Sequence, residues 1–287
     1  FPIVCYCGDT APAGLDLTGW KLDRWPTDQG PSLWLAPTPA SRHRVIATLA
    51  PRGIDLNRHR VRTSEDLTCE VALAARSFPR RLADASIRAL RIEVVNKALA
   101  EGGLGLIGRV ATTAGYQRRL AARFARWTRT GRLPSNPPPG LDDDEIQATE
   151  WRLFGAYRAV LRALDAEDAE GFHLTASRRL ADRPPAWFRD LTALVVDGPS
   201  FDDPLVPYLL AATCNLEQGV ELLVRYDPDR PDVFTEAADF ITTQIDLDVG
   251  VEEVELADDR PAGLVALGGA LFTEDPAQGQ LVEADGL

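Results

Sequence analysis

Three stretches of this chain carry residue types whose spacing could do chemistry. The first is GGLGLIG, residues 102–108, in which Gly103, Gly105 and Gly108 have the G-x-G-x-x-G spacing of dinucleotide-binding loops. Such a loop joins a strand to a helix whose N-terminal N–H groups face a pyrophosphate. Here residues 87–100 precede the glycines and have the apolar spacing of an amphipathic helix. The pattern therefore predicts a helix C-cap at Gly102 and Gly103, followed by a glycine-rich connection between two helices.

The second stretch is LVVDGPSFDDPLVPYLLAA, residues 194–212, in which an apolar run ends in Asp197. This is the form of a Walker B strand, whose aspartate holds the magnesium of a nucleotide. Gly198 follows, where active helicases have an acidic residue that positions the attacking water. Lys21 and Lys97, the only lysines, do not stand in a G-x-x-x-x-G-K-[ST] frame. We therefore expect no ATP hydrolysis, no cofactor and no metal. In the alternative interpretation, the Asp197 side chain caps a turn before Gly-Pro.

The third stretch is a basic segment with seven arginines and no acidic residue between positions 109 and 132. On a helical wheel Tyr116, Leu120, Phe124 and Trp127 share one face, and most of the arginines lie on the side away from it. Arginine forks match phosphate oxygens, so this stripe is a candidate nucleic-acid contact. A solvated face, or one docked on the acidic half of the chain, is the alternative. The candidate residues are Arg118, Arg119, Arg123, Arg126 and Arg129.

Short apolar runs and helical periods alternate at both ends of the chain and predict the elements that position these stretches. Expected strands cover residues 32–36, 61–63, 191–196, 219–226, 251–256 and 263–272. Expected helices between them cover residues 40–49, 64–76, 204–216 and 232–247. From residue 84 to about 180 the period is helical throughout, with helices at 87–100, 115–130 and 142–164 and a proline-rich linker at 133–140.

This alternation predicts an α/β fold, with a mostly parallel sheet flanked by helices and interrupted by a helical insertion lobe. The core would comprise residues 1–78 and 186–287, with a loose acidic C-terminus, and the lobe residues 79–185.

Composition excludes several classes of protein. No apolar run reaches the about 18 residues that a membrane span needs, and the four cysteines lack the spacing of a zinc site. We interpret them as reduced cysteines of a cytoplasmic protein. The three histidines lie far apart, which gives no support to a hydrolase triad, and His173 is expected to be a partly buried structural residue. Because the chain begins at Phe1 and contains no Met, we expect a piece of a longer product.

Charge is divided unequally along the chain. Residues 1–132 hold 21 basic and 11 acidic residues, whereas residues 133–287 hold 10 and 32, so the net charges are +10 and −22. Such asymmetry indicates a nucleic-acid face on the basic half, or two halves that attract one another.

The stretch around Asp197, together with VELLVRYDPDRPDVF at 220–234 and the basic helix, resembles the N-terminal helicase-like region of AddB, the B subunit of AddAB-type helicase-nucleases. The resemblance spans about residues 31–247 and is strongest over 191–234. It implies a P-loop-NTPase-like, catalytically degenerate superfamily 1 helicase core from a bacterial DNA-repair complex. Asp197 would match the relic Walker B aspartate and Gly198 the lost glutamate.

The resemblance implies a non-enzymatic scaffold that contacts single-stranded DNA beside a helicase-nuclease A-type partner subunit in double-strand-break repair. One departure from the family is that the region where some members have a phosphate loop reads only FPIVCYCGDTAPAG, residues 1–14. Two alternatives remain open. The chain would be a protein-interaction module without DNA binding, or an NTPase core whose phosphate loop lies outside this sequence.

Overall fold

The computed structural model describes residues 3–7, 21–25, 30–132, 134–141, 144–199, 203, 205–212, 220–225, 235–246 and 251–255. Within these residues the chain forms eight strands, numbered in chain order: β1 Ile3–Cys7, β2 Ser32–Ala36, β3 His59–Thr63, β4 Arg80–Arg81, β5 Ala166–Glu167, β6 Ala193–Asp197, β7 Val220–Arg225 and β8 Val251–Glu255.

The same residues form nine bounded α-helices: α1 Pro39–Leu49, α2 Ser64–Ala74, α3 Asp84–Ala100, α4 Ala114–Arg129, α5 Glu145–Ala163, α6 Ala169–Asp182, α7 Ala186–Arg189, α8 Leu205–Ala212 and α9 Thr235–Asp246. Several begin at side chains that satisfy their free N–H groups. Thr113 accepts from Tyr116 N, Asp144 from Ile146 N and Gln147 N, and Asp168 from Gly171 N.

Six strands form one sheet in the order β3-β2-β6-β7-β1-β8, and every neighbouring pair is parallel. β2 and β6 are buried along their whole length, as expected of strands covered on both faces. β3, at one edge of this sheet, alternates between buried and half-buried residues. The structure thus confirms an α/β fold with a parallel sheet flanked by helices.

Contacts divide the chain into two compact units. The sheet unit comprises Phe1–Thr63, Leu191–Phe201 and Asn215–Leu287, and the helical unit comprises Ser64–Asp190 and Asp202–Cys214. The helical unit therefore includes α2 and α8, which the sequence pattern assigned to the core with the sheet.

The core of the sheet unit is built around Trp34, which is fully buried on β2. Trp25 packs edge-on against it with ring centroids 5.5 Å apart, and against the His59 ring at 6.0 Å. Val45 and Leu49 of α1 join the same cluster, which explains why α1 packs on β2 and β3.

The core of the helical unit is an aromatic cluster between α4 and α5. Phe124 packs against Phe154 and Tyr157, each at a centroid distance of 5.3 Å, and Trp127 lies edge-on to Trp151 at 4.9 Å. The apolar face predicted for the basic helix, Tyr116, Leu120, Phe124 and Trp127, is buried, as the helical wheel required.

Several elements differ from the prediction. The stretch 84–180 is not helical throughout, because Ala166–Glu167 forms a two-stranded parallel pair with Arg80–Arg81. β1 and the short α7 were not predicted. α3 begins at Asp84 rather than at residue 87, and α5 begins at Glu145 because Asp144 provides its cap.

Three of the expected features fall outside the described residues, namely the strand at 263–272, the loose acidic C-terminus and the YDPDRP segment at 226–231. No helix in the described part of the chain is long and apolar enough to cross a bilayer.

Candidate functional site

The glycine stretch joins two helices. α3 ends at Ala100, Gly102 has a φ of +71°, and Gly103 N donates to Ala98 O at 2.9 Å, which closes the helix end. A short 3-10 turn, Gly105–Ile107, follows. Because neither a strand before the glycines nor a helix N-terminus immediately after them is present, this stretch lacks the setting that a dinucleotide loop requires.

Asp197 ends the buried strand β6, as predicted, at the carboxyl edge of the parallel sheet. Gly198 follows with a φ of +58°, and its N–H donates to Leu223 O on the adjacent β7 at 2.8 Å. A residue with a side chain is strained at that φ, so glycine serves a backbone role here.

The Asp197 carboxylate already has a cationic partner. Lys21 Nζ lies 2.5 Å from Asp197 Oδ1, and both residues are more than nine-tenths buried. A magnesium ligand needs an oxygen directed at the metal, and here that oxygen is held by an ammonium group. Among the described residues, no group of three or more His, Cys, Asp or Glu side chains is placed to hold a metal.

The basic helix α4 borders an open groove of about 520 Å³ in the helical unit. We call it the arginine groove. Thr130, Pro138 and Gln147 also line the groove. Its charged lining consists of Arg119, Arg123, Arg126 and Arg132.

Among the described residues, one carboxylate is paired with the groove arginines. Glu150 of α5 is fully buried and accepts a short hydrogen bond from Arg123 Nη1, and its Oε1 lies 3.9 Å from Arg119 Nε. Burial, and secondly the charge of Glu150, raise the pKa of the Tyr116 hydroxyl above its usual value. One carboxylate against four arginines leaves the groove with a strong positive charge.

The structure separates the five predicted arginines into different environments. Arg119, Arg123 and Arg126 line the groove, and Arg123 is partly engaged by Glu150. Arg118 is exposed but does not line the groove. Arg129 is half-buried with its Nε 3.7 Å from Glu170 Oε2. The groove therefore includes three of the five arginines of the predicted stripe.

Trp127 also touches the groove, but its ring belongs to the aromatic core. It is 8% exposed and packs against Phe124, Trp151 and Phe154. Arg123 Cζ lies 5.9 Å from the ring centroid. A ring held in this way has no free face for a nucleobase, so the groove offers guanidinium contacts rather than a stacking platform.

Sequence reasoning missed several residues of these sites. Arg132 is one of the seven arginines of the basic segment, but it was not a candidate contact because it lies beyond the end of the helix α4. Glu150 and Gln147 lie on α5, and an acid within a helix gives no signal that it is buried. Lys21 and Asp197 are 176 residues apart, and nothing in either local sequence indicates that they meet.

His173 is partly buried, as predicted, with its Nε2 2.5 Å from Asp203 Oδ1. Burial by itself raises the pKa of Asp203. The hydrogen bond and charge of His173 and the hydrogen bond from the Leu205 N–H lower this pKa by more, so it lies below its usual value. Asp203 caps the start of α8 through that N–H.

Comparison with known proteins gave no family model that matches this chain and no curated protein that matches it.

Proposed function

We propose that this chain is a non-catalytic, helicase-like module that contacts single-stranded DNA, as a part of an AddB-type subunit in bacterial double-strand-break repair. In this proposal the sheet unit is a P-loop-like scaffold, and the arginine groove of the helical unit contacts the DNA. We place the module in the cytoplasm, beside a helicase-nuclease A-type partner subunit.

The observation that carries the proposal is the arginine groove. Arg119, Arg123, Arg126 and Arg132 surround one open space, and in the part of the chain that the structure describes Glu150 is the carboxylate paired with them. Guanidinium groups recognise phosphate oxygens in a planar, two-point geometry, and a row of phosphates is the ligand that satisfies several of them at once. The groove's lining aromatic residue, Trp127, is buried, which favours contact with the DNA backbone without base readout.

A non-catalytic role is supported by the sheet edge. The Asp197 carboxylate is paired with the buried Lys21 ammonium, and Gly198 supplies a turn with positive φ where an active helicase has an acid. Strands β6, β7 and β1 are parallel neighbours in the sheet. The strand that ends in Asp197 and β1 therefore end at the same carboxyl edge, as a degenerate nucleotide-binding core requires.

A second candidate function is protein interaction without DNA. Exposed apolar side chains surround the connection between α3 and α4, where Leu99, Leu106 and Val110 are 40%, 71% and 46% exposed. Leu99 lies beside Gly108, so these residues are close together. A partner subunit that covers them would remove apolar surface from water.

Binding of a fluorescein-labelled 20-residue oligo-dT by the full chain, followed by fluorescence anisotropy, tests the proposal. We expect micromolar affinity at low salt, since the net charge of −22 on residues 133–287 opposes the strand. The double variant Arg119→Gln/Arg126→Gln should weaken binding by about tenfold or more.

Arg118→Gln is the matched control, because Arg118 is exposed on the same helix but does not line the groove. It should change the affinity by less than about twofold. An equal loss in the control and in the groove variant would favour a diffuse basic surface, and no binding in the wild type would favour the protein-interaction module.

A further inference from the structure

A second open cavity of about 550 Å³ lies elsewhere in the helical unit, and it shares no residue with the arginine groove. It is bounded by the C-terminal end of α2, the residues that follow it, and the last turn of α6 with the two prolines after it. We call it the Arg179 cavity. Its polar lining consists of Arg76, Ser77, Arg179 and Arg183.

The three arginines of this cavity have no carboxylate among its lining residues. Within the described part of the chain, none of the three forms an ion pair, in contrast to Arg123 and Arg158, which are held by Glu150 and Glu167. Three guanidinium groups around one space repel one another unless an anion lies between them.

Helix ends offset only part of this charge. The C-termini of α2 and α6 both reach the cavity, and each carries a partial negative charge of about half a unit, which attracts nearby arginines. Counted over the lining residues and these two helix ends, two half charges against three cations leave about two positive charges. The cavity therefore matches an anion with two or more negative charges.

The walls add a rigid surface and a neutral hydrogen-bond donor to the three arginines. Pro184 and Pro185 are half-buried and have fixed φ angles, so they give one wall a rigid shape. Val71 closes the inner side and is 2% exposed, while the Ser77 hydroxyl adds a neutral donor. Guanidinium forks and a hydroxyl are the donors that phosphate oxygens accept from most readily.

We infer that the Arg179 cavity binds a phosphate group that carries at least two negative charges. The group comes either from a small free phosphate compound or from the terminal phosphate of a nucleic-acid strand. This site is independent of the DNA contact proposed above, because its residues and helix ends are separate from the groove.

Isothermal titration with inorganic pyrophosphate tests the inference. The host for the titration is the full chain with Arg119→Gln/Arg126→Gln, which removes groove arginines that would also attract the probe. This host should bind pyrophosphate, and adding Arg179→Gln/Arg183→Gln should weaken binding by about tenfold or more. Melting temperatures of the variants, measured in parallel, check that they fold.

Arg189→Gln in the same host is the matched control, since Arg189 is exposed, lies six residues beyond Arg183 and does not line the cavity. Its affinity should stay within about twofold of the host. No pyrophosphate binding by the host, or equal binding after loss of Arg179 and Arg183, would overturn the inference. Either result leaves the DNA measurement on the groove unaffected.

Oligonucleotides with and without a 5′ phosphate then identify the source of the group. If the strand end is the ligand, the phosphorylated oligonucleotide binds more tightly, and Arg179→Gln/Arg183→Gln abolishes the difference. If a free compound is the ligand, the two oligonucleotides bind alike while pyrophosphate binding persists.

Discussion

Lys21 and Asp197 form a buried ion pair at the carboxyl edge of the sheet, with Lys21 Nζ 2.5 Å from Asp197 Oδ1. They come from segments 176 residues apart. Asp197 ends a central strand, and Lys21 lies next to Leu22, a member of the sheet-unit core. The pair therefore fastens an N-terminal segment to the sheet at the position where a Walker-type aspartate would face a metal.

Breaking this pair should be costly. Lys21→Met leaves the Asp197 carboxylate buried without its partner, and we expect a loss of about 3–5 kcal/mol in the free energy of unfolding. Asp197→Leu should cost a similar amount. The double variant Lys21→Met/Asp197→Leu should recover most of the loss, because it removes both charges of this pair. Urea denaturation followed by tryptophan fluorescence measures all three, and single variants within about 0.5 kcal/mol of the wild type would contradict the pairing.

Nucleotide binding should be absent or weak. The lysines do not stand in a phosphate-loop frame, Asp197 is paired with Lys21, and Gly198, which follows Asp197, carries no acidic side chain. Titration of ATP with magnesium into the full chain should give no heat that indicates affinity tighter than about millimolar, which corresponds to about −4 kcal/mol. Micromolar affinity would contradict the degenerate-core interpretation of the sheet unit.

Two glycines should respond differently to alanine. Gly30 has a φ of +140°, and a Cβ there would lie 2.6 Å from the Thr192 side chain, which itself donates to Pro31 O. Gly102 has a φ of +71°, with nothing within 4 Å of an added Cβ. Gly102→Ala should cost about 1–2 kcal/mol through backbone strain alone. Gly30→Ala should cost more. Thermal unfolding measures both variants, and a lower unfolding temperature for Gly102→Ala than for Gly30→Ala would show that Thr192 moves aside freely.

Stability should also depend on His59. Burial, and secondly the charge of Arg58, lower the pKa of His59, whose Nδ1 lies 2.9 Å from Ser32 Oγ. The unfolded state therefore binds a proton at a higher pH than the folded state. The contribution of neutral His59 to the free energy of unfolding is complete above the unfolded pKa of about 6.5, and it is lost as pH falls toward the pKa of His59 in the folded state.

The measurement is urea denaturation at pH values between about 7.5 and 5. His59→Gln should flatten the pH dependence in this range, by at most about 1.4 kcal/mol per pH unit for one group. An unchanged slope in the variant would mean that His59 has the same pKa in both states.

Local sequence predicted much of the fold because its signals were local. The SLWLA run of β2, the acid-started helix α2 after Ser64 and the apolar face of α4 each follow from periodicity and capping within one element. β4 and β5 are two-residue strands that exist only because the chain brings Arg80 and Ala166 together, so no periodicity could reveal them.

The candidate site was predicted less well, for the same reason. A helical wheel shows which side of α4 Arg118 and Arg126 occupy, but whether each arginine borders a cavity depends on α5 and the loop before it. Arg123 is half-buried and lies against a carboxylate, which the wheel does not show. The partner that holds it there, Glu150, is 27 residues away and is recognised only once α4 and α5 pack.

The salt dependence of single-stranded DNA binding tests the central claim most directly. Anisotropy titrations of oligo-dT over about 50–200 mM salt give the slope of log K against log salt, which is about −0.7 for each phosphate neutralised on a single strand. The account predicts a slope for the wild type that Arg119→Gln/Arg126→Gln makes shallower by about 1.4 and that Arg118→Gln leaves nearly unchanged. The same slope in the wild type and the groove variant, or no binding at about 50 mM salt, would contradict it.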